Sequence, residues 1–264
     1  MSSNPVLFVH GLWMHAASWS PWIEYFRSAG YQATAASWPG DPETIAEAKA
    51  KPQLVAGYGL EEIVEHHKRQ IGALDSRPIV IGHSFGGLIA QRLLAEDFAV
   101  GAVAIDPAPI KGVLRLPFSQ LKVAFPVLRK PSNRHRAIAL TREQFRYGFG
   151  NAITETESDQ LWEKWAVPGS GKPLFEAAFA NVSLASPAKV DTKNADRGPL
   201  LLIAGGKDHT APAGVTRASR RRYRKSPAIT ELREFPDRGH SLTLDSRWRE
   251  IADTSLDWLR GKAL

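Results

Sequence analysis

Residues 78–94 read Pro78-Ile79-Val80-Ile81-Gly82-His83-Ser84-Phe85-Gly86-Gly87-Leu88-Ile89-Ala90-Gln91-Arg92-Leu93-Leu94. The first four residues form the short, unbroken apolar run that a strand buried on both faces of a parallel sheet requires. The stretch from Phe85 to Glu96 predicts a helix. Between them, Gly82-His83-Ser84-Phe85-Gly86 fits G-x-S-x-G. Strand, tight turn and helix in succession push the serine side chain out over the end of the sheet. The glycines occupy positions where a Cβ would clash, and the helix start aims free N–H groups at developing negative charge. Ser84 is therefore the candidate nucleophile.

Outward from this turn the chain keeps the same rhythm. Strands are expected over Pro5–Val9, Tyr31–Ala36, Pro78–Ile81, Val100–Ile105, Leu200–Ala204 and Ile229–Phe235. Helices are expected over Ser18–Ala29, Leu60–Leu74, Phe85–Glu96 and Trp248–Leu259. Such alternation predicts an α/β fold, a mostly parallel sheet of about six strands flanked by helices. The alternating polarity of 229–235 suits a sheet edge. The rhythm breaks between Pro107 and Gly198, where helical segments around 114–128, 141–149, 154–165 and 173–184 carry nine aromatic rings. Thr156 with Asp159 offers a capping-box-like start to the third. This block reads as a helical lid, residues 107–198, inserted in a core made of 1–106 and 199–264.

A serine hydroxyl needs a base within hydrogen-bond reach. His240, in Gly239-His240-Ser241 after the last strand, is the candidate. His66 and His67 lie mid-helix, His135 is in a basic stretch, and His83 is on the wrong side of the turn. Asp208, in Gly205-Gly206-Lys207-Asp208, is the candidate acid that orients the base; Asp106, which ends the preceding strand, is its rival. For the tetrahedral intermediate, one donor is expected from the Phe85 backbone N–H. The other is expected from the loop His10-Gly11-Leu12-Trp13, with Leu12 first and Trp13 second. His10 reads as a support for that loop. Trp13, Trp162 and Trp165 are candidate substrate-pocket residues.

Composition narrows the classes further. The 264 residues contain no cysteine, which excludes disulfides, a thiolate nucleophile and thiolate metal sites. No histidine and carboxylate cluster has ligand spacing, so neither a metal nor an organic cofactor is expected. Met1–Pro5 lacks a basic lead, and Val6–Val9 is too short for a signal peptide or a membrane span. A cytoplasmic enzyme with a small-molecule substrate is the expectation, with no nucleic-acid partner. The net charge is +7. Basic runs at 129–136 and 217–225 read as solvated helix faces, although such runs can touch nucleic acid or acidic lipid.

Taken together, His10-Gly11, Gly82-His83-Ser84-Phe85-Gly86-Gly87, Gly205-Gly206-Lys207-Asp208 and Gly239-His240 resemble the α/β-hydrolase superfamily from Val6 to Leu259. The layout is similar to the plant methylesterase and hydroxynitrile lyase branch, in which the oxyanion strand comes almost first. The resemblance implies an α/β-hydrolase fold and small esters or cyanohydrins as substrates. Cyanohydrin cleavage in that branch uses a lysine just after the catalytic histidine; Ser241 stands there. Dehalogenases and epoxide hydrolases of the superfamily use an aspartate where this chain has Ser84. The expected activity is hydrolysis of a small, hydrophobic ester, thioester or lactone through an acyl-enzyme. Carbon–carbon bond hydrolysis with the same triad, or a ligand receptor on the same scaffold, is the alternative.

Overall fold

The structure, a computed structural model, describes residues 4–115 and 117–264. Met1–Ser3 and Leu116, the latter inside the helix expected over 114–128, lie outside the described residues. Strand β1 (Val6–Val9) leads through α1 (Ser20–Ser28) to β2 (Ala33–Ala36). Helices α2 (Ile45–Ala50) and α3 (Leu60–Gly72) precede β3 (Ile79–His83), α4 (Phe85–Ala95) and β4 (Gly101–Ile105). Then come α5 (Phe118–Leu128), β5 (Ala137–Ile138), α6 (Arg142–Gly148), α7 (Glu155–Trp165), β6 (Gly169–Ser170) and α8 (Lys172–Ala178). They are followed by β7 (Leu200–Gly205), α9 (Ala213–Arg222), β8 (Thr230–Phe235) and α10 (Trp248–Gly261).

Six strands pair in the order β2-β1-β3-β4-β7-β8, every neighbouring pair parallel. All six expected strands are present, and β8 is an edge. Side chains alternate along each strand between two layers. Val6, Phe8, Ile79, Ile81, Val103, Ile105, Leu201 and Ile203 pack with Trp22 and Phe26 of α1 and with Ile251, Leu256 and Leu259 of α10. Leu7, Val9, Val80, Ala102, Ala104, Leu200 and Leu202 pack with α3, α4 and Val215 of α9. On this face Val80, Ala102 and Ala104 of β3 and β4 are small, which lets α4 sit close to the sheet. That helix is buried along its whole length. Its one cation, Arg92, pairs with Glu61 of α3 at 2.6 Å and with Glu96 at 2.8 Å.

The stretch between β4 and β7 is helical, with a two-residue antiparallel pair, β5 with β6, that the sequence did not signal. Helix α7 is capped by Thr154, whose hydroxyl accepts the Glu157 N–H at 3.2 Å, and not by Thr156 with Asp159. Asp159 turns instead to Arg142 at 3.2 Å and Arg146 at 2.9 Å. Its charge satisfies α6 and is spent before it can reach back to a cap. The last expected helix ends early, at Ala178. The basic run 217–225 is the outer face of α9 and the turn after it, with Val215, Thr216 and Ser219 facing inward.

Candidate active site

Three adjacent strands end at one edge and deliver the chemistry. His83 of β3 lies level with Ile105 of β4, and Ile105 with Ile203 of β7. Ser84, Asp106 and the turn carrying Asp208 therefore leave the sheet side by side. Ser84 has φ 57° and ψ −119°, a left-handed conformation rare for any residue with a Cβ. Its surroundings hold it there. Its N–H donates to Ile105 O at 2.9 Å, and its carbonyl accepts from Gly87 N at 3.0 Å and Ala108 N at 2.9 Å. The glycines are there for space: a Cβ on Gly82 would stand 2.0 Å from Gly86 O, and one on Gly86 2.1 Å from Val9 O.

His240 is fully buried on the loop between β8 and α10. Its Nδ1 bonds Asp208 Oδ2 at 2.6 Å. The other oxygen of Asp208 accepts the backbone N–H groups of Thr210 at 2.6 Å and Ala211 at 2.9 Å. His240 Nε2 is buried and has no hydrogen-bond partner among the described residues. Arg238 braces the loop, paired with Asp245 and, at 2.8 Å, with Glu250. Ser241, where the lyase branch has lysine, is buried and donates to Asp245 at 3.0 Å.

Asp106 is also in the site, and it does more than cap the turn before Pro107. Its Oδ1 accepts the Gly205 N–H at 2.6 Å. Its Oδ2 lies 3.9 Å from His240 Nδ1, too far for a hydrogen bond. Burial, then the charge of Asp208, push the Asp106 carboxyl well above the usual carboxylate range, and its Oδ2 is buried without a hydrogen-bond partner among the described residues. Asp208 is thus the hydrogen-bond partner of the histidine, and Asp106 is not. His83, set aside in the sequence, packs its ring 4.5 Å from that of His240. Burial, then the neighbouring His240, hold its imidazole well below the ordinary histidine range. Phe149 packs against the opposite side at 4.7 Å, edge to face; no sequence pattern pointed to it. His83, Asp106 and His240 place donor atoms within 4.8 Å of one another, a spacing a metal could use. Two of the three are already engaged, His240 by Asp208 and Asp106 by Gly205.

The loop that carries Leu12 passes close beside the serine. Gly11 lies so near it that a Cβ there would stand 2.7 Å from Ser84 Cβ. Among the described residues neither the Leu12 nor the Phe85 backbone N–H has a hydrogen-bond acceptor. His10 holds the loop, with Nε2 3.0 Å from Asp41 Oδ2 and its ring stacked on Trp38.

An apolar cleft of about 80 Å³ opens above Ser84. Trp13, Phe85 and Ala211 wall it from the core, and Leu121, Val123, Ala124 and Leu174 from α5 and α8. Trp162 and Trp165, expected in the pocket, do not line it. The Trp162 indole donates to Leu140 O at 3.0 Å under the Arg142 guanidinium, and Trp165 faces a separate hollow beside Trp248. Both rings are used in packing α7, so the cleft takes aliphatic side chains in place of the expected aromatic ones. Arg129, Arg134 and Arg136 are exposed and do not enter it.

The alpha/beta hydrolase family model matches residues 6–254. Among solved structures, the chain resembles a monoacylglycerol lipase from Paleococcus ferrophilus, with TM-score 0.66 and 22% identity over 97% of this chain and 95% of that one. It also resembles an extracellular alpha/beta-hydrolase from a Paenibacillus species, with TM-score 0.70 and 18% identity over 97% and 98% of the two chains. A methylesterase from Arabidopsis aligns with TM-score 0.66 and 16% identity over 98% and 99%. Among curated proteins, 87 residues are 34% identical to the (E)-2-((N-methylformamido)methylene)succinate hydrolase of Acinetobacter baylyi. That stretch is 33% of this chain and 30% of that relative.

Proposed function

Because the chain belongs to the alpha/beta hydrolase family, we propose that it cleaves a small, uncharged, hydrophobic ester, thioester or lactone through an acyl-enzyme on Ser84. The observation that carries this reading is the 2.6 Å bond of Asp208 to His240 Nδ1, with Nε2 buried and left unpaired among the described residues, while Ser84 lines an apolar cleft. Asp208 fixes the proton on Nδ1, so Nε2 is the basic atom. Nε2 takes the proton of the Ser84 hydroxyl as Oγ bonds to the carbonyl carbon. The oxyanion is met by the N–H groups of Phe85 and Leu12. The imidazolium returns its proton to the departing alkoxide or thiolate. Water then gives a proton to Nε2 and its oxygen to the acyl carbon, and Ser84 leaves with that proton.

Substrate class follows from the walls. Among the described residues no charged side chain lines the cleft, and an ionised substrate group would lie there unpaired at high cost. The succinate in the name of the partial relative is a dicarboxylate, and this cleft has nothing to pair with it. The names lipase and methylesterase among the structural neighbours favour an ester. Segment 107–198 acts as a lid, since α5 and α8 supply one wall. The test is a panel of chromogenic esters and lactones of rising acyl length, with fluorophosphonate labelling of wild type and Ser84→Ala. Wild type is expected to turn over neutral esters and label at Ser84, and the variant to do neither. Equal labelling of the variant would remove Ser84 from the reaction.

A further inference from the structure

Helix α5 has two faces. Val123, Ala124 and Val127 point inward, while Phe118 and Phe125 face outward with Leu121, half-exposed at the edge of the cleft, between them at i, i+3 and i+7. Phe118 is 79% exposed and Phe125 63%. The stripe is not isolated. Of the eleven exposed large hydrophobic residues among the described residues, seven fall between 107 and 198: these three with Leu114, Phe179, Val182 and Leu184. Hydrogen bonds of Asn181 to Gly112 and Val113, and of Lys111 to Ser183, tie the 179–184 loop to the chain before α5. So much clustered apolar surface is unusual on a monomer facing water.

The charge around the stripe is mostly positive, with Glu143 of α6 an exposed acid in the hollow that Phe118, Leu121 and Phe125 line. Residues 107–142 contain eight lysines and arginines and no aspartate or glutamate, so they hold more than the whole net charge of +7. Arg115, Lys122, Arg129, Lys130, Arg134 and Arg136 are exposed, and none forms an ion pair among the described residues. Lys122 and Arg129 lie four residues beyond Phe118 and Phe125, directly beside the stripe.

We propose that α5 and its flanking cations are a docking face for an anionic lipid–water interface, with Phe118, Leu121 and Phe125 entering the acyl boundary. An apolar stripe bordered by cations is the pattern of a helix lying in such an interface. Each lysine or arginine adds attraction to an anionic surface. A second copy of the chain fits poorly, since a two-fold contact would set the same acid-free segment against itself. Nucleic acid would use the cations but leave Leu114, Leu121, Val182 and Leu184 without a partner. The inner face of the same helix walls the cleft over Ser84, so docking would bring the cleft mouth to the lipid. The docking claim does not depend on the serine-hydrolase reading.

The test is co-sedimentation with vesicles of phosphatidylcholine alone and with 30% phosphatidylserine (about the anionic content of a cytoplasmic leaflet). Wild type and Ser84→Ala are expected to bind the anionic vesicles equally and to be released by salt. Phe118→Ser/Phe125→Ser is expected to bind at least about tenfold more weakly. Arg129→Gln/Lys130→Gln is expected to bind about thirtyfold more weakly. Both keep wild-type turnover of a water-soluble ester, which shows the fold and cleft intact. Failure to bind anionic vesicles, or binding that ignores the phenylalanines, overturns the proposal. So does a stable dimer in sedimentation equilibrium that these serines dissolve, or tighter binding to duplex DNA than to vesicles. Loss of esterase activity with vesicle binding intact would sink the catalytic reading and leave this one standing.

Discussion

Asp208→Asn and Asp106→Asn make the same chemical change a few ångströms apart, and the structure assigns them opposite outcomes. An asparagine at 208 has one acceptor oxygen. The Thr210 and Ala211 N–H groups, at 2.6 and 2.9 Å from Asp208 Oδ1, claim it. The amide nitrogen then faces His240 Nδ1, now 2.6 Å from the carboxylate. Nδ1 can pair with an N–H only as an acceptor, so the ring proton moves to Nε2, the atom that must receive the proton of Ser84. A base held in the wrong tautomer costs roughly 10⁴ in kcat, which is about 5.4 kcal/mol of barrier. An asparagine at 106 has the shape and hydrogen-bonding sense of a neutral acid. Its oxygen still accepts from Gly205, as Oδ1 does at 2.6 Å, and its nitrogen replaces an oxygen that makes no hydrogen bond among the described residues. The expected loss there is within about tenfold. Asp106→Ala differs again: it leaves the buried Gly205 N–H without an acceptor and costs about 1–3 kcal/mol of stability. Steady-state kcat/KM on a neutral chromogenic ester, with the melting transition of each variant, reads all three. Equal losses for the two asparagines, or a larger one at 106, would refute the assignment of the acid.

Other perturbations probe separate parts of the fold. Gly86→Ala would drive a Cβ to 2.1 Å from Val9 O; a stability loss of roughly 2–4 kcal/mol by urea titration and abolished fluorophosphonate labelling are expected. His67 is fully buried on α3, and burial lowers its pKa from 6.5 to about 4. Below pH 6.5 the unfolded chain takes up a proton that the folded one refuses, so stability is full above 6.5 and falls toward pH 4, by about 3 kcal/mol in all. His67→Leu is expected to flatten that acid limb, since Ile63 O, which accepts from His67 Nδ1 at 2.7 Å, keeps its helical bond; an unchanged limb in urea titrations at pH 7 and pH 4.5 would exclude His67 as its cause. Ala124→Phe is expected to lower kcat/KM for long acyl esters by about tenfold or more relative to acetates, and Trp162→Ala to leave that ratio unchanged.

Legibility followed the strength of local constraint. The inner strands β1, β3, β4 and β7 are short apolar runs stopped by glycine, aspartate or proline, and the alternating polarity of β8 marks an edge. The serine turn was legible because strand, helix and glycines each require the others: without Gly82 and Gly86, α4 could not approach β3 and β1. The inserted segment obeys no such rule. Its helices are short, and which of their faces meets the cleft depends on how they pack on one another. Trp162 and Phe149 illustrate this. Both are aromatic residues of the same segment, yet one is spent on α7 packing and the other lies against His240. Nothing in their sequence neighbours distinguishes them.

The rivalry between Asp106 and Asp208 has a different origin. The parallel register sets the ends of β3, β4 and β7 level, so residues just past each end converge whatever their role. Sequence position therefore nominates both carboxyls, with Asp208 first. Turn geometry gives the physical reason for that order. Asp106, at φ 42°, swings its carboxyl across to the Gly205 N–H and gains one backbone donor. Asp208 rides on a turn that gives one of its oxygens two backbone donors and leaves the other for His240. Two carboxylates buried together cannot both stay ionised. Burial and the neighbouring charge of Asp208 raise the carboxyl with the fewer donors, Asp106. An acid at 106 that ionises less readily leaves His240 to Asp208, where a second anion would compete for it.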